Sequence, residues 1–301
     1  MQLTREQAIN LVVELQQAVL VGLGRRAPWN EKDMSFHGGT SLKLAWNSHR
    51  FSEDLDFLVS NQMITPEHVE KVLHDIVDEI QVQGVSAFTH STPFSLALRN
   101  KSRPDNPNKA FWIVWSHPEV RGNVKLKVEF YMAEPEPVHA YGSDMQTLAY
   151  RNSMNVDVKA DLNIAALKSI YIDKLSVLAY RQMIKYRDVY DLWFVVNEGA
   201  IPEQQELVAG LKVNNLLYER TFPQRFEKTT LLLETRPFSL EDYEIDMQNW
   251  LPEDIYASMK ESGKFEEGIN LVYAHQEQYL ELLEAIISGQ ELDAQSGINP
   301  Q

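Results

Sequence analysis

Asp54 and Asp56 alternate with Leu55 and Phe57, and no other segment restricts the fold of this chain as tightly. Alternation with a period of two marks a strand, whose successive side chains point to opposite faces. Both carboxylates therefore share one face, and the apolar residues share the other. Just upstream, in His37-Gly38-Gly39-Thr40-Ser41, two glycines let the backbone approach a ligand that a Cβ would obstruct. Carboxylates side by side suit a hard divalent cation such as Mg2+.

At 301 residues the chain can form two domains, or one core with a large appendage. Its 44% hydrophobic content and six tryptophans suit a packed protein. With no cysteine, disulfides and thiolate zinc sites are excluded. The stretch Met1-Gln2-Leu3-Thr4-Arg5-Glu6 lacks a charged-then-apolar signal pattern, and no uninterrupted apolar run approaches membrane-spanning length. A cytoplasmic protein with no membrane partner is expected. Residues 201–301 hold 7 Lys and Arg against 19 Asp and Glu, which is -12 of the net -15. The first two thirds are nearly neutral. They carry locally basic stretches at Arg99–Lys109, Arg121–Lys127 and Lys168–Arg187. Around a metal site such stretches can take triphosphate or RNA; the acidic last third is ill suited to an RNA backbone.

Thr4 and Gln7 fit a capping box, and Ile9, Leu11, Val12, Leu15 and Val19 continue at helical spacing. Gly22, Gly24 and Pro28 are expected to end that helix. Met34–His37 reads as a strand, and Thr40–Asn47 as a helix opening after the glycines, an order that offers backbone N–H groups to an anion. Leu55–Ser60 reads as a strand and Pro66–Ile80 as a helix. Further strands are expected at Val82–Thr89, Phe94–Leu98, Ala110–Trp115 and Val124–Met132, with Asn100–Asn108 an exposed loop. From Asp161 onward the pattern reads as helical. The expected division is 1–155 for a mixed α/β part and 156–301 for a helical part.

In Val124–Phe130 the residues Lys125, Lys127 and Glu129 share one face. Beside the aspartate strand, Glu129 would complete a three-carboxylate metal set and Lys127 would neutralise phosphate. The plainer alternative is an amphipathic strand with a wet face. Lys174 and Arg181, seven apart, would lie on nearly one helix face, as would Asp188 and Asp191, three apart. Arg187-Asp188 could open a new helix, with the aspartate at the positive end of its dipole. A salt-bridged helical hairpin is the competing account of these residues. His37 could orient the glycine turn, Ser52 could contact a phosphate or a carboxylate, and His49 and His90 lack partners at ligand spacing. No GxxxxGK[ST] loop is present.

Four segments together resemble the AbiEii/AbiGii nucleotidyltransferase toxin family of the DNA-polymerase-β-like superfamily. They are Gly38-Gly39-Thr40-Ser41-Leu42 with Arg50-Phe51-Ser52-Glu53-Asp54-Leu55-Asp56-Phe57, Lys127-Val128-Glu129, Asp173-Lys174-Leu175, and Arg187-Asp188-Val189-Tyr190-Asp191-Leu192. Asp173 stands where the family's pattern has glutamate.

The resemblance implies an α+β protein: a polymerase-β-like core with a mixed sheet, then a helical C-terminal domain that contributes Lys174 and Asp188 to the site. It implies transfer of a nucleoside monophosphate, or a short pyrimidine tail, from a nucleoside triphosphate to an acceptor, tRNA foremost, with release of pyrophosphate. Asp54 and Asp56, with Glu129, would hold one or two Mg2+. Gly38, Gly39, Thr40, Arg50, Ser52 and Lys127 would bind the nucleotide. Lys174 would contact the triphosphate, and Asp188 would serve as a base or a positioning residue. A toxin of this kind implies a cognate antitoxin. A small-molecule or protein acceptor, and a catalytically silent nucleotide-binding module, remain as alternatives.

Overall fold

The computed structural model describes residues 2–26, 31–85 and 94–289. Two compact units divide the chain. The first takes in the described residues up to Asn47, Phe51–His139 and Ser143–Ala165; the second takes in Ser48–Arg50, Ala140–Gly142 and the described residues from Ala166 onward.

The first unit begins with α1 (Arg5–Arg26), entered through the expected capping box. The Thr4 N–H donates to Gln7 Oε1 at 2.9 Å, and the Gln7 N–H to Thr4 Oγ1 at 3.2 Å. The helix does not stop at its glycines. Gly22 and Gly24 lie inside it, and a Cβ would meet Ile76 at 2.8 Å from the first and the Asp161 carbonyl at 2.5 Å from the second. They serve close packing rather than termination, and Pro28 lies outside the described residues. By length and composition α1 could cross a membrane, but Leu11, Leu15, Val19 and Leu23 are buried in the core.

There follow β1 (Met34–His37), α2 (Gly38–Leu44), β2 (Asp54–Ser60) and α3 (Pro66–Gln83). Helix α2 starts at Gly38 and ends at Leu44, earlier at both ends than the spacing suggested. In α3, Thr65 caps the first turn, Pro66 opens it, and Val69, Leu73, Ile76, Val77 and Ile80 supply the buried stripe. Of the strand expected at Val82–Thr89, Val82 and Gln83 belong to α3 and Gly84 caps it; residues 86–89 lie outside the described residues, as does His90. Then come β3 (Ser95–Asn100), β4 (Asn108–Ser116), β5 (Val124–Ala133), the short α4 (Pro135–Ala140), β6 (Ser143–Arg151) and β7 (Asp157–Ala165). Asp161, where helix was expected to begin, sits inside β7.

The seven strands form one mixed sheet in the order β3-β4-β5-β2-β1-β7-β6. The β2–β5 and β1–β7 pairs are parallel and the others antiparallel. Helices α1 and α3 pack against the sheet and each other. The apolar face of the sheet is a band of aromatic rings, with Phe57 stacked on Phe130 at 4.8 Å and set 5.3 Å from Phe36.

The second unit holds α5 (Leu167–Tyr180), α6 (Tyr186–Asn197), α7 (Gln204–Tyr218), α8 (Phe222–Thr235), α9 (Leu240–Met247), α10 (Glu253–Glu261) and α11 (Lys264–Ser288). Helix α11 packs on α5, α6, α8, α9 and α10, so the unit is built around it.

Candidate active site

Strand register decides what stands beside the aspartates. Parallel pairing of β2 with β5 sets Asp54 opposite Lys127 and Asp56 opposite Glu129. Residues opposite one another on neighbouring strands share a face, so these four side chains form one polar patch. Antiparallel β1 adds His37 opposite Asp56.

Glu129 lies where alternation suggested, but its carboxylate is engaged. Oε2 stands 2.5 Å from Lys127 Nζ, and Oε1 accepts from Asn108 Nδ2 at 2.7 Å. Burial works against the charge on Lys127, and the neighbouring Glu129, Asp54 and Asp56 outweigh it, raising its pKa. Among the described residues no group of three or more Asp, Glu, His or Cys is arranged to hold a metal ion. A three-carboxylate set would need Glu129 to turn away from Lys127.

The glycine turn fits against the same patch. Gly38 has φ +81°, a conformation that favours glycine, and a Cβ there would lie 2.8 Å from Asp56 Oδ2. The Thr40 hydroxyl donates to the Asp54 carbonyl, and Ser41 Oγ donates to the Gly38 carbonyl at 2.7 Å. Both residues are buried and both hydroxyls are committed to backbone: Thr40 ties α2 to β2, and Ser41 bonds back within the first turn of α2. Ser52 precedes β2 rather than lying on it. It is buried, and its carbonyl accepts from Gln16 Nε2 at 2.9 Å. Asp54 and Asp56 offer the oxygen donors a hard cation takes. Gly38 leaves Asp56 Oδ2 the room a Cβ would occupy.

The remaining candidates lie in the helical unit, within one buried ionic chain. Arg50 clamps Asp191 through Nε to Oδ1 at 2.5 Å and Nη2 to Oδ2 at 2.6 Å. Lys174 Nζ lies 2.7 Å from Asp191 Oδ2 and 2.7 Å from Asp188 Oδ1, and Arg181 binds Asp188 Oδ2. Three cations thus alternate with two carboxylates. The side chain of Asp191 is 0% exposed, that of Arg50 3% and that of Lys174 11%. Burial alone would raise the Asp188 pKa, but Lys174 and Arg181 outweigh it and hold it at about 2. Asp191 is lowered in the same way, by Arg50 and Lys174 against its burial. Asp188 is thus a fixed anion that orients Lys174.

The sequence spacing had put Lys174 with Arg181, and Asp188 with Asp191. The structure joins both pairs and adds Arg50. Asp191, absent from the expected site, receives both Arg50 and Lys174, as Asp188 receives Lys174 and Arg181, and Lys174 bridges the two carboxylates. Asp173 turns elsewhere, accepting from Tyr141 at 2.6 Å and from Asn214 at 2.7 Å.

The glycine turn, the register-matched aspartates and the Lys-Asp chain lie in the four segments that carry the resemblance. The profile of the AbiEii nucleotidyl transferase toxins of type IV toxin–antitoxin systems matches residues 25–281. The chain belongs to the AbiEii family. It is a nucleotidyltransferase, and its α+β fold recurs in two solved structures. A candidate nucleotidyltransferase from H. pylori is similar to the AbiEii chain at TM-score 0.51 and 19% identity, over 94% of this chain and 99% of its own. JHP933 from Helicobacter pylori gives TM-score 0.50 and 17% identity, over 95% and 100%. A comparison with curated proteins gave no match.

Proposed function

We propose that this AbiEii protein transfers a nucleoside monophosphate from a nucleoside triphosphate to an acceptor hydroxyl on tRNA in a Mg2+-dependent reaction, and releases pyrophosphate. The observation that carries the reading is the register-matched patch of Asp54, Asp56, Lys127 and Glu129, with Gly38 pressed against Asp56. Attack at an α-phosphorus needs charge neutralisation and in-line placement more than covalent help. Asp54 and Asp56 would hold the cation, which supplies charge neutralisation for the triphosphate and acidifies the attacking hydroxyl.

The chain's own groups do the rest. Gly38 and Gly39 give the triphosphate backbone to lie against without a side chain between. Lys127, kept cationic by three carboxylates, balances phosphate charge. Lys174 and Asp188 enter through their match to the family's segments. Lys174 is read as the triphosphate contact, and Asp188 as the anion that orients it. In a type IV system a cognate antitoxin is the opposing partner.

The charge of residues 201–301 favours one other acceptor class, a cationic small molecule or a protein. Incubation with each labelled nucleoside triphosphate, Mg2+ and either total RNA or total protein separates the two. Label is expected in RNA of tRNA size. Label in protein would overturn the acceptor; label in neither would point to the small molecule, and no pyrophosphate release with a small-molecule extract added would overturn the activity.

A further inference from the structure

The polar face of β2 and β5 continues across two more strands. Trp112 lies opposite Lys127 on β5 and opposite Arg99 on β3, so Arg99, Trp112, Lys127 and Asp54 form one row across four strands. The neighbours of Trp112 in the chain, Phe111 and Ile113, point the other way and are buried, whereas Trp112 keeps part of its surface. Along this face the indole is bordered on its own strand by Ala110 and the buried Val114, and diagonally across by Ala97, all short side chains. Lys125 Nζ stands 5.8 Å from the ring centroid. Arg99 and Lys125 are exposed, and neither makes an ion pair among the described residues. The transfer chemistry argued above uses none of Trp112, Arg99 and Lys125.

A partly open indole with cations on two sides matches a nucleic-acid strand, whose phosphates meet the cations while a base lies on the ring. The match is local, since the chain as a whole is strongly acidic. In a duplex every base face but those of the end pairs is covered by its neighbours, so an open strand fits the indole better. Two inter-strand spacings, about 10 Å, separate Trp112 from Asp54. That is close enough for a base near the reacting end of the strand. The exposed contact of Lys125 with the ring is weak enough to yield to a base.

We propose that Trp112 is the stacking platform for an unpaired base at the 3′ end of an RNA acceptor, with Arg99 and Lys125 holding its phosphates. This inference rests on the RNA reading above and names the part of the acceptor that is recognised.

The test is equilibrium binding of a 5′-fluorescent single-stranded RNA to the full chain without triphosphate, beside the same sequence closed as a blunt hairpin. Trp112→Ala is expected to weaken binding of the single strand at least about fivefold, and Trp112→Phe to retain it. Arg99→Gln with Lys125→Gln is expected to lower the slope of log K against log salt by about 1.4. The hairpin is expected to bind more weakly than the open strand. Equal binding of hairpin and strand overturns the proposal, as does unchanged affinity in a folded Trp112→Ala. If that variant unfolds, an unchanged affinity and salt slope in the double variant overturns it. A protein that binds RNA as expected but labels protein overturns the acceptor reading alone. One that labels RNA with an unaltered RNA KM in Trp112→Ala overturns the platform alone.

Discussion

Gly38, the residue that follows β1, lies so close to Asp56 on β2 that a Cβ on the glycine would stand 2.8 Å from Asp56 Oδ2. The contact joins the two halves of the motif, the turn and the acid. With φ at +81°, any side chain there also strains the backbone, at a cost of about 1 kcal/mol or more. Gly38→Ala should therefore fold, with a lower urea midpoint, and lose most of its transfer activity. A displaced carboxylate can cost about a hundredfold in rate. Activity within a few-fold of the native protein would show that the placement of Asp56 is not critical.

Asp54 and Asp56 lie on the polar face of the sheet, while its stability comes from the ring-lined face behind them. Asp54→Asn and Asp56→Asn should each abolish transfer and move stability by less than about 1 kcal/mol. Expression of the native chain should arrest growth, and Asp56→Asn should relieve the arrest. A variant that stays toxic at equal abundance would separate toxicity from transfer.

The block from Met34 to Phe57 and the strand Val124–Ala133 were legible because alternation and glycine placement are local signals, and their pairing follows from one shared polar face. Strands β6 and β7 were not legible. Most of their residues from Ser143 to Asp161 are exposed or only part-buried, so little apolar alternation marks them: in β6 only Leu148 and Tyr150 are buried, and in β7 burial begins at Leu162. Gly22 and Gly24 look like helix terminators for a related reason: what they allow is close packing against Ile76 and Asp161, residues far along the chain. Spacing alone paired Lys174 with Arg181 and Asp188 with Asp191. It could not bring Asp191 into the set, because its Arg50 partner lies far back along the chain.

Glu129 faces two demands, Lys127 and a cation beside Asp56. Its pair with Lys127 is partly exposed and worth about 1 kcal/mol or less, so a divalent ion can outbid it. Glu129→Gln should raise the Mg2+ concentration needed for half-maximal transfer several-fold, with saturated activity partly retained. A magnesium titration in native and variant protein checks this. An unchanged magnesium midpoint, with only the KM for triphosphate altered, would assign Glu129 to holding Lys127 alone.

The buried chain Arg50–Asp191–Lys174–Asp188–Arg181 gives the helical unit an acid-sensitive element. Asp188 is depressed to about 2 in the folded protein, against about 4 when unfolded. A depressed carboxylate contributes stability that is full above its unfolded pKa and is lost as pH falls through its folded one. About 2 kcal/mol from Asp188 should therefore be present at neutral pH and vanish between about pH 4 and pH 2. Asp191, lowered in the same direction, should add to that acid limb. Asp188→Asn should be less stable at pH 7 and flatter below pH 4. Asp191→Asn should cost more, about 3–5 kcal/mol, because it leaves the buried Arg50 guanidinium without its carboxylate. Urea midpoints measured from pH 7 to pH 2 decide the matter. An acid limb as steep in Asp188→Asn as in the native protein would place the sensitivity elsewhere.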